Sequence, residues 1–399
     1  MTTSHDEPTV LVPPRWVAAL SVAVLGMSVA VLTPIQLLLP LQIQAIDPAH
    51  KVLDLGWITT VAAVVSIVTC PVAGALSDRT TSRFGRRRPW VLGSALVCAA
   101  GLVLLGGSHG IIEVALWWML VQAGTNAMYA ALSAAVPDRV PTVQRGVVSA
   151  FVGLPVPLAL ILGSFLVSTV VTGQFAGYLL LAVLLVVLVL PFVLSAEPVA
   201  ALPTPAPRAD PVPRGDIFWA FGCRFAIQVA NAVGTLYLLF YLRDVIHRAD
   251  PAKSLFLLIS LYTVGIVLTS VIAGRWSDRV GRRKPFVIAS SVVVACAMVV
   301  LGLGGTWQTA MVAAVLMGVG YGIYIAVDNA LITQVLPSSG HRARDLGAVN
   351  LANTGPQAIA PAIAGVVITD LGGYTPLYLL AGACALVGAV LVQPVKGIR

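Results

Sequence analysis

Charge is the scarcest property of this chain. Only 10% of its 399 residues are Asp, Glu, Lys or Arg, 58% are hydrophobic, and the mean hydropathy is +0.94. An ordinary water-soluble domain cannot hide that much apolar surface, so a soluble globular fold is excluded. Cysteine is also sparse. Cys70, Cys98, Cys223, Cys296 and Cys384 all fall inside apolar runs and show no CxxC spacing. That excludes a disulfide framework and a zinc knuckle and leaves them as small packing residues. His5, His50, His109, His247 and His341 are too scattered for a metal site, and none is expected. No G-x4-GK(S/T) phosphate loop occurs, which argues against a carrier with its own ATP motor. No nucleophile–base constellation stands out, so an enzyme is not expected, nor is any cofactor. The first fourteen residues are polar and acidic, so no cleavable signal peptide is expected. Strand-type alternation is missing as well.

What the chain does have is length in its apolar runs. Crossing about 30 Å of hydrocarbon takes roughly 20 residues. Twelve runs qualify: about 17–39, 55–77, 90–107, 111–136, 146–170, 175–195, 217–242, 254–274, 286–305, 309–336, 347–369 and 374–393. Runs this continuous are helices, because a helix satisfies its own backbone in lipid. The expected fold is an all-α membrane protein of twelve spans. With the N-terminus inside, 19 of the 24 basic residues fall in inner loops and tails and four in outer loops. The positive-inside rule therefore puts both termini in the cytoplasm of a multi-pass cell-membrane protein. It also accounts for the net charge of +8 without nucleic acid; the expected macromolecular environment is the lipid bilayer.

The second positive feature is a repeat. GALSDRTTSRFGRRRPW, starting at Gly74, returns as AGRWSDRVGRRKPF. Asp78 matches Asp278 at an offset of 200, while Gly85, Arg86, Arg87 and Pro89 match Gly281, Arg282, Arg283 and Pro285 at 196. The 196 register then carries Gly124 onto Gly320 and Pro141 onto Pro337. A duplication this long makes the chain two copies of one membrane half-unit, a recurrent transporter design. The boundaries expected are 1–195 for the first six-helix bundle, 196–214 for a Pro-rich cytoplasmic linker and 215–399 for the second bundle. The linker AEPVAALPTPAPRADPVPR holds six prolines in nineteen residues, a composition for an extended connector.

The repeated segment, with G-x3-D-R-x-G-R-(R/K) between second and third helices of each copy, resembles the major facilitator superfamily. The longer version SDRTTSRFGRRRPW, with VDNALITQVLPSSGHRARDLGAVNLANTGPQ, is most similar to the glycoside–pentoside–hexuronide and sucrose-transporter-like carriers. The resemblance implies two pseudo-symmetric six-helix bundles, alternating access, and an inner gate latched by the motif residues Gly74, Asp78, Arg79, Gly85, Arg86, Gly274, Asp278, Arg279, Gly281 and Arg282. Physically, the small residue would let helices approach, and each Asp would accept hydrogen bonds from basic loop residues or from a helix N-terminus.

Polar residues inside spans point to the substrate, since they are costly there unless they face protein or water. Gln122, Asn126, Tyr129 and Ser133 in span 4, and Arg224, Gln228, Asn231 and Thr235 in span 7, both run i, i+4, i+7, i+11 along one helix face. Tyr321, Tyr324 and Asp328 share a face of span 10; span 11 adds Asn350, Asn353 and Gln357, and span 1 adds Thr33 and Gln36. In the superfamily, spans 1, 4, 7 and 10 line the central cavity. The candidate substrate residues are Gln36, Gln122, Asn126, Tyr129, Gln228, Asn231, Tyr321, Tyr324, Asn350 and Asn353. Amides and hydroxyls suit a sugar, and tyrosine faces suit a pyranose ring.

Two charges lie deep. Arg224 and Asp328 each sit about eight residues from a cytoplasmic helix end, about 12 Å into the membrane at 1.5 Å per residue. An unpaired ion there costs several kcal/mol, so they are expected to pair. The functional reading is a proton-coupling acid with its arginine; the alternative is a static interhelical bridge. Sucrose carriers of plants keep an acid and an arginine in span 4, where this chain has Gln122, Asn126 and Tyr129. The function expected is a monomeric secondary active transporter importing a sugar or glycoside with protons. The alternative is a drug or metabolite:proton antiporter of the same fold, whose GPxxGG stretch in span 5 is absent here.

Overall fold

A computed structural model describes residues 11–82, 84–171, 173–195, 214–335 and 342–395; within these, the side chains at 137, 142, 143, 146, 147, 150, 214–217, 278, 329–335, 342–354 and 358 are outside the description. Of the expected linker 196–214, residues 196–213 lie outside the described residues and Arg214 begins a helix. Every one of the twelve apolar runs falls on helix, and no strand occurs among the described residues. We number them α1 (Pro14–Ile46), α2 (Lys51–Arg79), α3 (Arg88–Gly106), α4 (Ile111–Arg139), α5 (Thr142–Gly153 and Pro155–Phe165, with Leu166–Val170), α6 (Gln174–Leu194), α7 (Arg214–Leu236, then Leu238–Asp244), α8 (Pro251–Val280), α9 (Lys284–Gly304), α10 (Trp307–Val335), α11 (Arg342–Asp370) and α12 (Tyr374–Leu391).

Nine of these, among the described residues, are long and apolar enough by composition to cross a membrane, and the two pieces of α7, bent by 43°, make a tenth. The 29-residue α4 is long enough but is diluted by its polar stripe. Helix α1 runs to Ile46, past the sequence estimate, by widening into a π-turn over Pro34–Leu38. Pro34 and Pro40 both lack the N–H that an α-helical ladder would use there, and a π-turn absorbs the mismatch.

The residues group into two compact units: Met1–Leu38 with Val64–Ala206, and Leu39–Ala63 with Pro207–Arg399. In the first unit α3 packs on α4 and α6, and α1 on α5 and α6. In the second, α9 packs on α10 and α12, and α7 on α11 and α12. The same four pairs thus recur six helices later, which is the duplication seen in packing.

One glycine pair shows why. A Cβ on Gly124 would meet the backbone N of Cys98 at 2.8 Å and the carbonyl of Ser94 at 2.9 Å. A Cβ on Gly320 would meet Val294 Cγ2 at 2.8 Å and the Ser290 carbonyl at 3.1 Å. Ser94 and Ser290, like Cys98 and Val294, are 196 residues apart, so both copies keep the same close crossing. Gly74 and Gly274 differ: an added Cβ would only touch Ala130 and Ala326, at 3.9 and 3.8 Å. Gly124→Ala is therefore expected to destabilise the purified protein by about 1–3 kcal/mol through overpacking. Gly74→Ala should leave the thermal unfolding midpoint of detergent-solubilised protein unchanged or raised. Equal midpoints for the two variants would refute this assignment.

Polar contacts explain why Leu39–Ala63 clusters with the second unit. Lys51 Nζ donates to Asp244 Oδ1 at 2.6 Å and lies 5.2 Å from the Phe240 ring centroid, while Tyr374 OH donates to Asp244 Oδ2 at 2.6 Å.

Candidate functional site

The second unit carries an ion pair in which both partners are buried. Arg224 on α7 and Asp328 on α10 are 8% and 7% exposed, and Arg224 Nη1 lies 2.8 Å from Asp328 Oδ2. The other carboxylate oxygen accepts from Tyr324 OH at 2.8 Å, one turn earlier on the same helix. Tyr324 belongs to an apolar cluster with Ala220, Cys223, Ile227, Val287, Val327, Val392 and Val395. A carboxylate so enclosed needs both partners, because burying a charge without them is costly.

The α7 stripe continues outward from Arg224. Gln228 Oε1 accepts from Tyr321 OH at 2.6 Å, and Asn231 Oδ1 accepts from Tyr262 OH at 2.8 Å. Sequence reasoning missed Tyr262. It sits on α8, outside the spans expected to face substrate, 6% exposed, with its ring against Tyr321 at 6.2 Å between centroids and 23° between planes. Its signal in the sequence is slight, a single ring hydroxyl in a helix whose other mid-span polar residues are serines and threonines. Asn350 and Asn353 fall on α11, but their side chains lie outside the described residues.

Mid-span, the polar groups among the described residues of the first unit carry no charge. Asn126 Nδ2 donates to Ser66 Oγ on α2 at 2.9 Å and to its own helix at the Gln122 carbonyl, also 2.9 Å. Its amide thus ties α4 to α2. Gln122 is half-buried and Tyr129 is 45% exposed. Gln36 lies in the π-turn of α1, and its Oε1 is buried without a hydrogen-bond partner among the described residues, as is Thr33 Oγ1 one turn earlier.

The residues of the repeated motif in the first unit form a network. Arg87, 3% exposed, donates through Nη2 to Asp78 Oδ1 at 2.5 Å, through Nη1 to Ser77 Oγ at 2.9 Å and through Nε to Asp138 Oδ2 at 2.9 Å. Arg86 Nη2 donates to the same Asp138 oxygen at 3.0 Å and lies 3.7 Å from Asp78. The sequence reading named Arg86; the structure centres the network on Arg87 and adds Asp138, at the inner end of α4. Arg79 points to the exterior. Gly85 and Gly281 both have positive φ, 94° and 66°, so the motif's second glycine turns the chain where a side chain would be strained. Gly281 also caps α8, its N–H bonding the Ser277 carbonyl at 2.9 Å. Of the second copy, Arg279 and Arg282 are exposed and the Asp278 side chain lies outside the described residues. At the position matching Asp138 the second copy has Gln334.

The arrangement is two duplicated helical units, each with a charged loop between its second and third helices, and one with a buried ion pair. The sequence profile of the Major Facilitator Superfamily matches residues 15–248 and 221–396, and the chain belongs to that superfamily of transporters. Among solved structures it is similar to a POT family transporter in complex with a thioalcohol-conjugated peptide (TM-score 0.77, 13% identity, 97% of each chain covered). It is also similar to a POT family transporter in complex with 5-aminolevulinic acid (TM-score 0.77, 14% identity, 97% of each chain). A third is the human organic anion transporter MFSD10 (TM-score 0.71, 16% identity, covering 96% of this chain and 100% of that one). At these identities the likeness is one of fold. The protein is a multi-pass membrane transport protein.

Proposed function

We propose that this transporter is a secondary carrier working by alternating access, which imports a sugar or glycoside together with protons. The subfamily reading is the glycoside–pentoside–hexuronide and sucrose-type carriers, placed in the cell membrane as a monomer with both termini cytoplasmic. The six-helix halves 1–195 and 215–399 are the moving bodies. Substrate hydroxyls are assigned to the amides and hydroxyls of Gln36, Gln122, Asn126, Tyr129, Gln228, Asn231, Tyr321, Tyr324, Asn350 and Asn353.

The observation that carries the reading is the enclosed pair Arg224–Asp328, at 2.8 Å with Tyr324 on its second oxygen. Opening the pair takes the cation from the acid, which favours the protonated carboxyl; reforming it favours release of the proton. The proton thus has one acceptor, a carboxylate oxygen of Asp328, and Arg224 stays charged throughout. A membrane potential supplies about 2.3 kcal/mol per charge per 100 mV, enough for roughly 50-fold accumulation at 1.4 kcal/mol per decade.

The test is uptake of radiolabelled mono- and disaccharides into proteoliposomes under an imposed pH gradient. Accumulation of a sugar that collapses with a protonophore is the expected result. Exchange of lipophilic cations against protons, with no sugar taken up, would replace the proposal with the antiporter reading.

A further inference from the structure

Three tyrosines join the amides of α7 to the charge pair. Tyr262, Tyr321 and Tyr324 stand ring beside ring, with centroids 6.2 Å and then 5.9 Å apart. Each hydroxyl donates to a different acceptor: Asn231 Oδ1 at 2.8 Å, Gln228 Oε1 at 2.6 Å and Asp328 Oδ1 at 2.8 Å. The chain of contacts ends on Arg224, which pairs with Asp328 at 2.8 Å. Asn231, Gln228 and Arg224 are themselves one turn apart along α7, so the tyrosines meet them in order.

Two physical consequences follow. Because each amide oxygen takes a phenol proton, the amide NH2 is the group left for a ligand, so this wall offers donors. And because the rings are in contact, the outer two buried and Tyr321 half-buried, a phenol cannot follow its amide without disturbing the next ring. We propose that Tyr262, Tyr321 and Tyr324 form a positioning relay through which ligand occupancy at Asn231 and Gln228 sets how firmly Asp328 holds its proton. This rests on the proton-coupling reading of Asp328 given above. The relay makes no covalent change: a proton from solution joins the carboxylate, and the phenols only gain or lose the geometry with which they hold it. Among the described residues, the titratable groups that act on Asp328 or feel it are Arg224 and Cys223 on α7 and Tyr321 and Tyr324 on its own helix. The cluster that holds Tyr324 and Cys223 receives only apolar side chains from Phe286, Val287, Ile288, Leu391 and Val392.

The experiment needs no ligand. Infrared difference spectra of the full-length protein in nanodiscs, taken through a pH titration, follow the carbonyl stretch of a protonated carboxylic acid. Asp328→Asn must remove that band; its persistence would overturn the coupling reading itself. With the band assigned, Tyr324→Phe takes a donor from the ionised carboxylate and should move the midpoint about one pH unit, a tenfold change in proton affinity, toward alkaline pH. Tyr262→Phe keeps the ring and touches neither charge, yet should change the affinity about threefold, because the ring released from Asn231 can shift against Tyr321 and, through it, Tyr324. A packing role for Tyr262 would lower the unfolding temperature and leave the midpoint where it was. A midpoint moved by Tyr324→Phe but not by Tyr262→Phe would overturn the relay and leave the coupling site standing.

Discussion

Asp328→Asn is expected to abolish uphill, pH-driven accumulation while substrate binding and exchange persist. The substitution keeps the shape of the side chain and an oxygen for Tyr324, whose hydroxyl lies 2.8 Å from Oδ1. What it removes is the titratable group and the negative charge beside Arg224, both nine-tenths buried. A buried guanidinium facing a neutral amide costs about 3–5 kcal/mol, so the single mutant should also unfold at lower temperature. Adding Arg224→Gln removes that penalty and should restore stability, since replacing both members of a buried pair is often neutral. It should not restore accumulation, because no proton acceptor has returned. Accumulation ratios in proteoliposomes, beside thermal unfolding of the same preparations, read the two effects separately. Full pH-driven accumulation in the double mutant would show the pair to be a packing device only.

The second large effect is expected at the inner loop of the first unit. Asp78 is 60% exposed at its side chain, so its bond to Arg87 adds little stability in solvent. Asp78→Asn should therefore fold and insert normally, bind substrate with unchanged affinity, and turn over at least about tenfold more slowly, the equivalent of about 1.4 kcal/mol on the barrier. Arg87→Ala is the harsher change. It strips a cation that is 4% exposed from Ser77, Asp78 and Asp138 together, and hydrogen bonds to charged groups contribute about 1.5–3 kcal/mol each. Loss of both stability and turnover is expected there. Exchange rates and binding isotherms measured side by side decide the matter. A collapse in affinity with unchanged conformational exchange would remove these residues from the gate.

Much of the chain was legible before any coordinates, and particular residues show why. The twelve helices announce themselves because lipid leaves a backbone no other way to be satisfied. The pairing of Arg224 with Asp328 could be inferred from depth alone, since two opposite charges far from water have few other places to go. The repeated Gly124 and Gly320 were visible as a register, although their purpose was not. Only the crossing of α3 on α4, and of α9 on α10, shows that a side chain at either position would strike a neighbouring backbone.

Other assignments depended on which way each helix is turned. Asn126 and Asn231 occupy similar places in similar stripes, yet Asn126 reaches Ser66 on α2 and Asn231 accepts from Tyr262 on α8. The duplication explains the difference once the packing is known. Position 126 falls on Gly322 in the second copy, where an added Cβ would strike the Ile266 carbonyl at 2.7 Å. That face of α10 is given to close contact with α8, which presses Tyr262 toward α7.

By itself, the sequence determined the span count, the duplicated architecture, the excess of positive charge at the loops and the two residues that must neutralise each other. Each of these follows from a local quantity: the length of an apolar run, the spacing of a repeat, or the cost of a charge far from water. The tertiary structure alone decided that Arg87 rather than Arg86 centres the polar network of the repeated motif, that Asp138 completes it, that Leu39–Ala63 packs with the second unit, and that Tyr262 meets Asn231 and Tyr321. Those outcomes depend on helix rotation and on partners distant in the chain. Rotation is set by how closely two backbones can approach, a property of pairs of helices that no single stretch of sequence carries.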